Sequence, residues 1–300
     1  MIKMKTIILT IFTSCSFTQF VDNSMNINSI PTSAESSAMG GIYIPFDFNE
    51  KIIFSHLSRF GGIYTLDALQ YNNILLTIHG IDDIPNTTQS WVDIDNDGPD
   101  AHEINYSKIS YFDAKDYNLI LNKIIKNKYN IAFKNTISKI YNDFAYGLGL
   151  NVLTTKKTFK GINYYLGALD ILSFKFWFSE KELDSNPFEL YFPKIMISAE
   201  RQFLQSSNVI TLYSLYNNDN NQIIDYRFGS KIYLSDNLTL FLGKSTFSHF
   251  SFGFSIFNNF FNVDYSYIIS DSKLLFDDSH NISIGLKVPE LMNKSKNFHP

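Results

Sequence analysis

Residues 143–153 read DFAYGLGLNVL. Phe144, Tyr146, Leu148, Leu150 and Val152 fall on one side of this alternation, and Asp143, Ala145, Gly147, Gly149 and Asn151 on the other. Side chains of a β-strand point to opposite faces with period two, so the segment is a strand with one bulky apolar face and one small, polar face. The same split returns near the C-terminus, where Phe250, Phe252, Phe254 and Ile256 oppose His249, Ser251, Gly253 and Ser255. Repeated in strand after strand, this is the pattern of a membrane β-barrel, apolar toward lipid and polar toward the lumen.

Working outward from that segment, strand candidates fall at 60–66, 72–80, 107–112, 116–124, 130–138, 143–153, 160–168, 191–201, 207–216, 223–233, 237–244, 248–256, 260–269 and 280–288. That is about fourteen, and bacterial single-chain barrels have an even number. The residues between them are turn formers: Asn217 to Asn221 in one connection, Ser235, Asp236 and Asn237 in another, Asn258 and Asn259 in a third. Short strands joined by tight turns describe an up-and-down antiparallel meander. Asp116 to Lys128 competes as a helix, because Tyr117, Ile120, Leu121, Ile124 and Ile125 share a helical face. Two longer connections, 81–105 and 171–191, break the rhythm, and such segments are where gating or partner contacts sit.

Composition agrees. Aromatic residues make up 16% of the chain, with 28 Phe and 18 Tyr, the supply needed for lipid-facing bands and interfacial girdles. A net charge of -4 and a pI near 5.9 leave no basic footprint for nucleic acid. Lys3 and Lys5 followed by the apolar run Thr6 to Phe12 have the layout of a secretory signal peptide, so 1–20 is assigned to export. Cys15, the one cysteine, sits where a lipoprotein-type cleavage would place it, although the residue three before it is the bulky Phe12. Residues 21–59 then form a polar lead-in with a short plug-like segment, 60–288 the barrel, and 289–300 a polar tail.

Few residues suggest chemistry. Asp93, Asp95 and Asp97, followed by Gly98, match the first half of a calcium loop, but Ile104 stands where a bidentate Glu belongs, which leaves a solvated acidic turn as the other reading. Asp225, Arg227, Lys231 and Asp264 fall on inward faces of the later strands and either line a polar path or pair with one another. Gly147, Gly149, Gly229, Gly243, Gly253 and Gly285 share that face, making room for a plug or ligand or easing strand curvature. Gly243-Lys244-Ser245 lacks the earlier glycine of a phosphate loop, and Gly253-Phe254-Ser255 lacks the closing glycine of a nucleophile elbow. No catalytic or cofactor-binding set emerges.

Several segments in order resemble the PorV/PorQ-like outer-membrane proteins, which are barrels of the FadL type: SAMGG (37–41), GIDDIPNT (80–87), ISYFDAKDYNLIL (109–121), YGLGLNV (146–152), GALDILSFKFWF (167–178), FPKIMISAE (192–200) and VDYSYIISDSKLLFDDSHNISIGLKV (263–288). The family's Asn-Pro-Ala step after the Gly-Gly pair is missing. The resemblance implies a bacterial outer-membrane location and a non-enzymatic role, either as a conduit for hydrophobic compounds or as an accessory of type IX-like protein secretion, with a secreted protein as partner. The rival from another class is a soluble exported β-rich binding or adhesion module, in which the apolar faces would cover a core.

Overall fold

The computed structural model describes residues 31–42, 51–88, 90, 104–126, 128–154, 157–178, 187–216, 222–246, 250–269 and 278–287. Sixteen strands form one sheet: β1 Lys51–Arg59, β2 Tyr64–Tyr71, β3 Ile74–Asn86, β4 Ser110–Ile125, β5 Tyr129–Ile140, β6 Asp143–Thr154, β7 Lys157–Phe159, β8 Ile162–Phe178, β9 Phe188–Leu190, β10 Lys194–Phe203, β11 Ser206–Tyr216, β12 Gln222–Ser235, β13 Leu238–Ser245, β14 Phe250–Phe257, β15 Phe261–Ile269 and β16 Ser279–Lys287. β7 and β9 are three-residue appendages of β8. The other fourteen are each paired antiparallel on both sides, and β16 meets β1, with Ser283 opposite Ser55, to close a barrel. Closure leaves no edge unpaired among those fourteen, the condition for sheet structure in lipid.

The outer wall carries the alternation's bulky half. Phe144, Tyr146, Phe250, Phe252, Phe254, Ile282, Ile284 and Leu286 are exposed, while Ala145, Asn151, Ser251, Ser255, Asn281 and Ser283 between them are buried inside. The apolar faces therefore cover no core, which removes the soluble-module reading, and the chain is an outer-membrane β-barrel. Near strand ends, cations lie over aromatic rings, Arg201 on Phe203 and Lys244 on Phe250, as expected where long side chains reach for the interface.

Both the start of β1 and the end of β16 lie at the end of the barrel bearing the tight turns 72–73, 204–205 and 236–237. The opposite end bears the long connections 87–109, 179–193 and 270–278. Short turns face the periplasm in such barrels, which gives this one its orientation.

Three expectations change. Residues 110–112 of the first expected strand and all of 116–124 belong to the single strand β4, which also excludes the helix over 116–128. The barrel begins at Lys51 rather than Phe60, so the last nine residues of the expected lead-in are β1. The expected connection 171–191 is wall as far as Phe178, and 81–105 is strand as far as Asn86. The first two differences offset each other in the strand count. Asp93, Asp95 and Asp97, Cys15 and the tail 289–300 lie outside the described residues.

A barrel closed through β16 resists detergent, so unboiled protein should run faster on a gel than boiled protein. Ser283→Pro removes a ladder donor from a strand paired on both sides and should abolish the fast form.

Candidate functional site

The lumen is occupied by the chain's own residues 31–42. Within them α1, Ala34–Ala38, is a short helix capped by Ser33, whose side chain accepts from the Ser36 N–H at 3.2 Å. It ends in Met39, Gly40 and Gly41, and both glycines have φ of 76°, a left-handed conformation that suits Gly. Ala34, Ala38 and Met39 are fully buried.

This plug is bound to the wall formed by β12 to β16. Ala34 N–H donates to Ser283 Oγ at 2.7 Å, and Asn281 Nδ2 donates to Ser37 Oγ at 2.7 Å. Ser251 Oγ accepts from Gly40 N–H at 3.0 Å and donates to the Ala38 carbonyl at 2.9 Å. Arg227 donates to the Gly41 carbonyl, and Lys231 pairs with Glu35. Inward glycines supply the space: a Cβ on Gly243 would lie 2.1 Å from the Gly40 nitrogen, and one on Gly253 2.8 Å from the Ala38 Cβ. Of the two uses open to these glycines, accommodation of a plug is the one realised at Gly229, Gly243 and Gly253. Gly147 and Gly149 make room instead for Lys175, Ser173 and Lys134, and Gly285 for Asn262.

Of the four charged residues read as inward-facing, Asp225, Arg227 and Asp264 are buried and Lys231 is partly buried. Arg227 Nε donates to Asp225 Oδ2 at 2.8 Å while its guanidinium lies 4.6 Å from the Tyr213 ring centre. Lys231, on the same strand, meets the plug, and Asp264 accepts from Asn262 at 3.0 Å and from Ser255. Arg227 and Lys231 thus hold the plug in place, while Asp225 neutralises Arg227 in an interior where an unpaired charge is costly.

A second polar network lies on the wall from β3 to β8 and escaped the sequence reading. Lys175 Nζ is 2.9 Å from Asp116 Oδ2, with His79 Nε2 3.9 Å from that same oxygen. Lys134 Nζ is 3.3 Å from Asp170 Oδ1, Ser173 donates to the same carboxylate, and the Asp170 N–H donates to Asn151. Thr136, Asn118 and Thr77 continue as a hydrogen-bonded row. The inward parity rule applied to 72–80 and 130–138 would have found His79 and Lys134. Asp170 follows no such rule, because β8 carries left-handed residues at Asp170 and Leu172 and its register against β6 shifts between Leu148 and Val152. The connection 171–191, read as a place for gating or partner contacts, is accordingly a segment of wall up to Phe178.

Between these networks the inward face carries two apolar clusters beside buried polar residues such as Asn163, Ser198 and Thr211. Leu57, Tyr64, Leu66, Leu75 and Ile120 form one inward cluster, and Leu153, Leu169, Met196 and Tyr213 another. At the tight-turn end a cavity of about 670 Å³ opens, lined by Lys51, Tyr233, Asn237, Phe257, Asn262 and Lys287 among others. Among the described residues no group of three His, Cys, Asp or Glu side chains is placed to hold a metal ion.

No protein-family model matches the chain, and neither does any curated protein. Solved structures similar to it include the CymD monoaromatic hydrocarbon channel, at 10% identity over 87% of this chain and 98% of that one, with a TM-score of 0.46. The Pseudomonas putida toluene transporter TodX aligns at 10% identity over 89% of this chain and 99% of its own, with a TM-score of 0.47. The Ralstonia pickettii toluene transporter TbuX aligns at 9% over 87% and 99%, with a TM-score of 0.38.

Two substitutions test the architecture. Gly243→Val meets plug backbone, which cannot swing aside, so it should cost about 1–3 kcal/mol or unseat the plug. Thiol labelling of a Ser37→Cys reporter should accelerate accordingly. Asp170→Asn leaves the Lys134 charge buried against a neutral amide and should lower stability to urea by about 3 kcal/mol, with Lys134→Met in the same chain recovering most of the loss.

Proposed function

We propose that this barrel is a non-enzymatic conduit through which small hydrophobic compounds cross the outer membrane. The observation that carries the reading is the pair of inward apolar clusters, Leu57, Leu66, Leu75 and Ile120 on one side and Leu153, Leu169, Met196 and Tyr213 on the other. A channel for ions or sugars has no use for such a lining, whereas an apolar solute moving past the plug is solvated by it. The plug excludes bulk water, so passage is stepwise along the wall rather than through an open aqueous pore. The finer likeness to the PorV/PorQ branch is carried by the quoted motifs.

A second reading has one observation in its favour. The plug is seated by hydrogen bonds on β14 and β16 and by Arg227 and Lys231, a degree of filling that suits a barrel whose work is done at its distal connections. In that version 87–109 and 179–193 dock an exported protein, as an accessory of type IX-like secretion does.

The test is flux of naphthalene, followed by its fluorescence, into lipid vesicles containing the purified barrel. Uptake several-fold faster than into empty vesicles, slowed by Leu66→Gln and Met196→Gln, is the expected result. Uptake no faster than into empty vesicles would remove the conduit and leave the docking role.

A further inference from the structure

The outer wall holds one feature that a lipid-facing surface does not favour. His56 Nδ1 lies 2.8 Å from Asp67 Oδ1, and the two side chains are 46% and 47% exposed on the outside of the barrel. His56 is the sixth of nine residues in β1 and Asp67 the fourth of eight in β2, so the pair stands midway along two strands whose length is close to the roughly 9–11 residues of a membrane-spanning strand. Charged groups on the lipid face destabilise a barrel most at mid-depth.

Other ionisable groups on this face have ordinary explanations. Lys123, Lys139, Arg201 and Lys244 sit near strand ends, where they reach the interface. Asp82 and Lys115 pair on a distal extension: Ile81 is already opposite Tyr64, the first residue of β2, so Asp82 lies past the end of that strand. His280, bonded to the Tyr265 hydroxyl at 2.8 Å, is the second residue of β16 and belongs to the distal aromatic girdle. His56 and Asp67 share neither excuse.

We infer that the β1–β2 face is an interface with a second copy of this chain. Two barrels inserted in the same direction are related by a two-fold axis along the membrane normal. Placed between β1 and β2, that axis sets β1 of one copy against β2 of the other at matching depth. His56 then faces the partner's Asp67, and Asp67 the partner's His56. Each side chain spends one polar atom on the bond within its own copy, which leaves Nε2 of His56 and Oδ2 of Asp67 for the bond across the interface. The patch is self-complementary, as an isologous contact requires, because it carries a donor and an acceptor on adjacent strands. Ser58 and Thr65, paired just distal to it, are small and allow close approach, and Phe54 opposite Leu69 supplies apolar contact just below.

Bismaleimide cross-linking of Leu69→Cys, whose linker spans the gap between two facing sheets, tests the interface in intact outer membranes, with heat-modifiability confirming folding of each variant. The parent should give a cross-linked dimer. His56→Asp sets like charges against each other and should reduce the dimer roughly tenfold, equivalent to about 1.4 kcal/mol. The exchange His56→Asp with Asp67→His rebuilds the complementary pattern and should restore it. Absence of dimer in the folded parent, or a dimer indifferent to His56→Asp, would overturn the inference.

Discussion

In hydrocarbon no water is present to satisfy a backbone N–H or C=O, so a sheet that enters a membrane must close on itself. Everything else in this molecule follows from how that closure is made. At the seam, Ser55 and Ser283 share a hydrogen bond of 2.7 Å inside the barrel, and Ser283 Oγ also accepts from the Ala34 N–H at the start of the plug helix. One side chain therefore serves both the joining of β16 to β1 and the seating of the plug. The segment that fills the lumen is part of the same polar ladder that completes the wall.

Closure also creates an interior that must be filled at acceptable cost. A fourteen-stranded ring is too wide for its own side chains to fill uniformly. This chain solves the problem unequally on its two sides. From β12 to β16 many inward residues are glycine, serine or asparagine, and the plug occupies the room they leave. From β3 to β8 the inward face carries ion pairs that reach across intervening strands, Lys134 on β5 to Asp170 on β8 and Lys175 on β8 to Asp116 on β4. Two apolar clusters lie between the two networks, and the proposed conduit runs along them.

Where the sequence pattern was hard to read, the reason was physical. β1 reads KIIFSHLSR, with Ile52 and Phe54 outward but His56 and Ser58 following on the same face, so its alternation dissolves and it passes for a lead-in. β4 appears broken at Asp113 to Asp116 because its distal end rises beyond the level at which β2 begins, where water rather than lipid meets the outer face. In β8, Asp170 stands where an outward apolar residue was due and looks like the start of a loop. Its left-handed backbone turns the carboxylate inward to Lys134, and the strand continues.

The period-two alternation by itself determined that this is a membrane barrel of about fourteen strands, and it placed Asp225, Arg227, Lys231 and Asp264 inside, because facing is a local property of a strand. What those residues touch was not local. Arg227 meets Gly41 across 186 positions of sequence, and Ser283 meets Ala34 across 249. Such meetings depend on register, on curvature and on the path of the plug through the lumen, and only the closed tertiary structure sets those. The inward glycines were legible as space; that the chain itself fills it was decided by the fold.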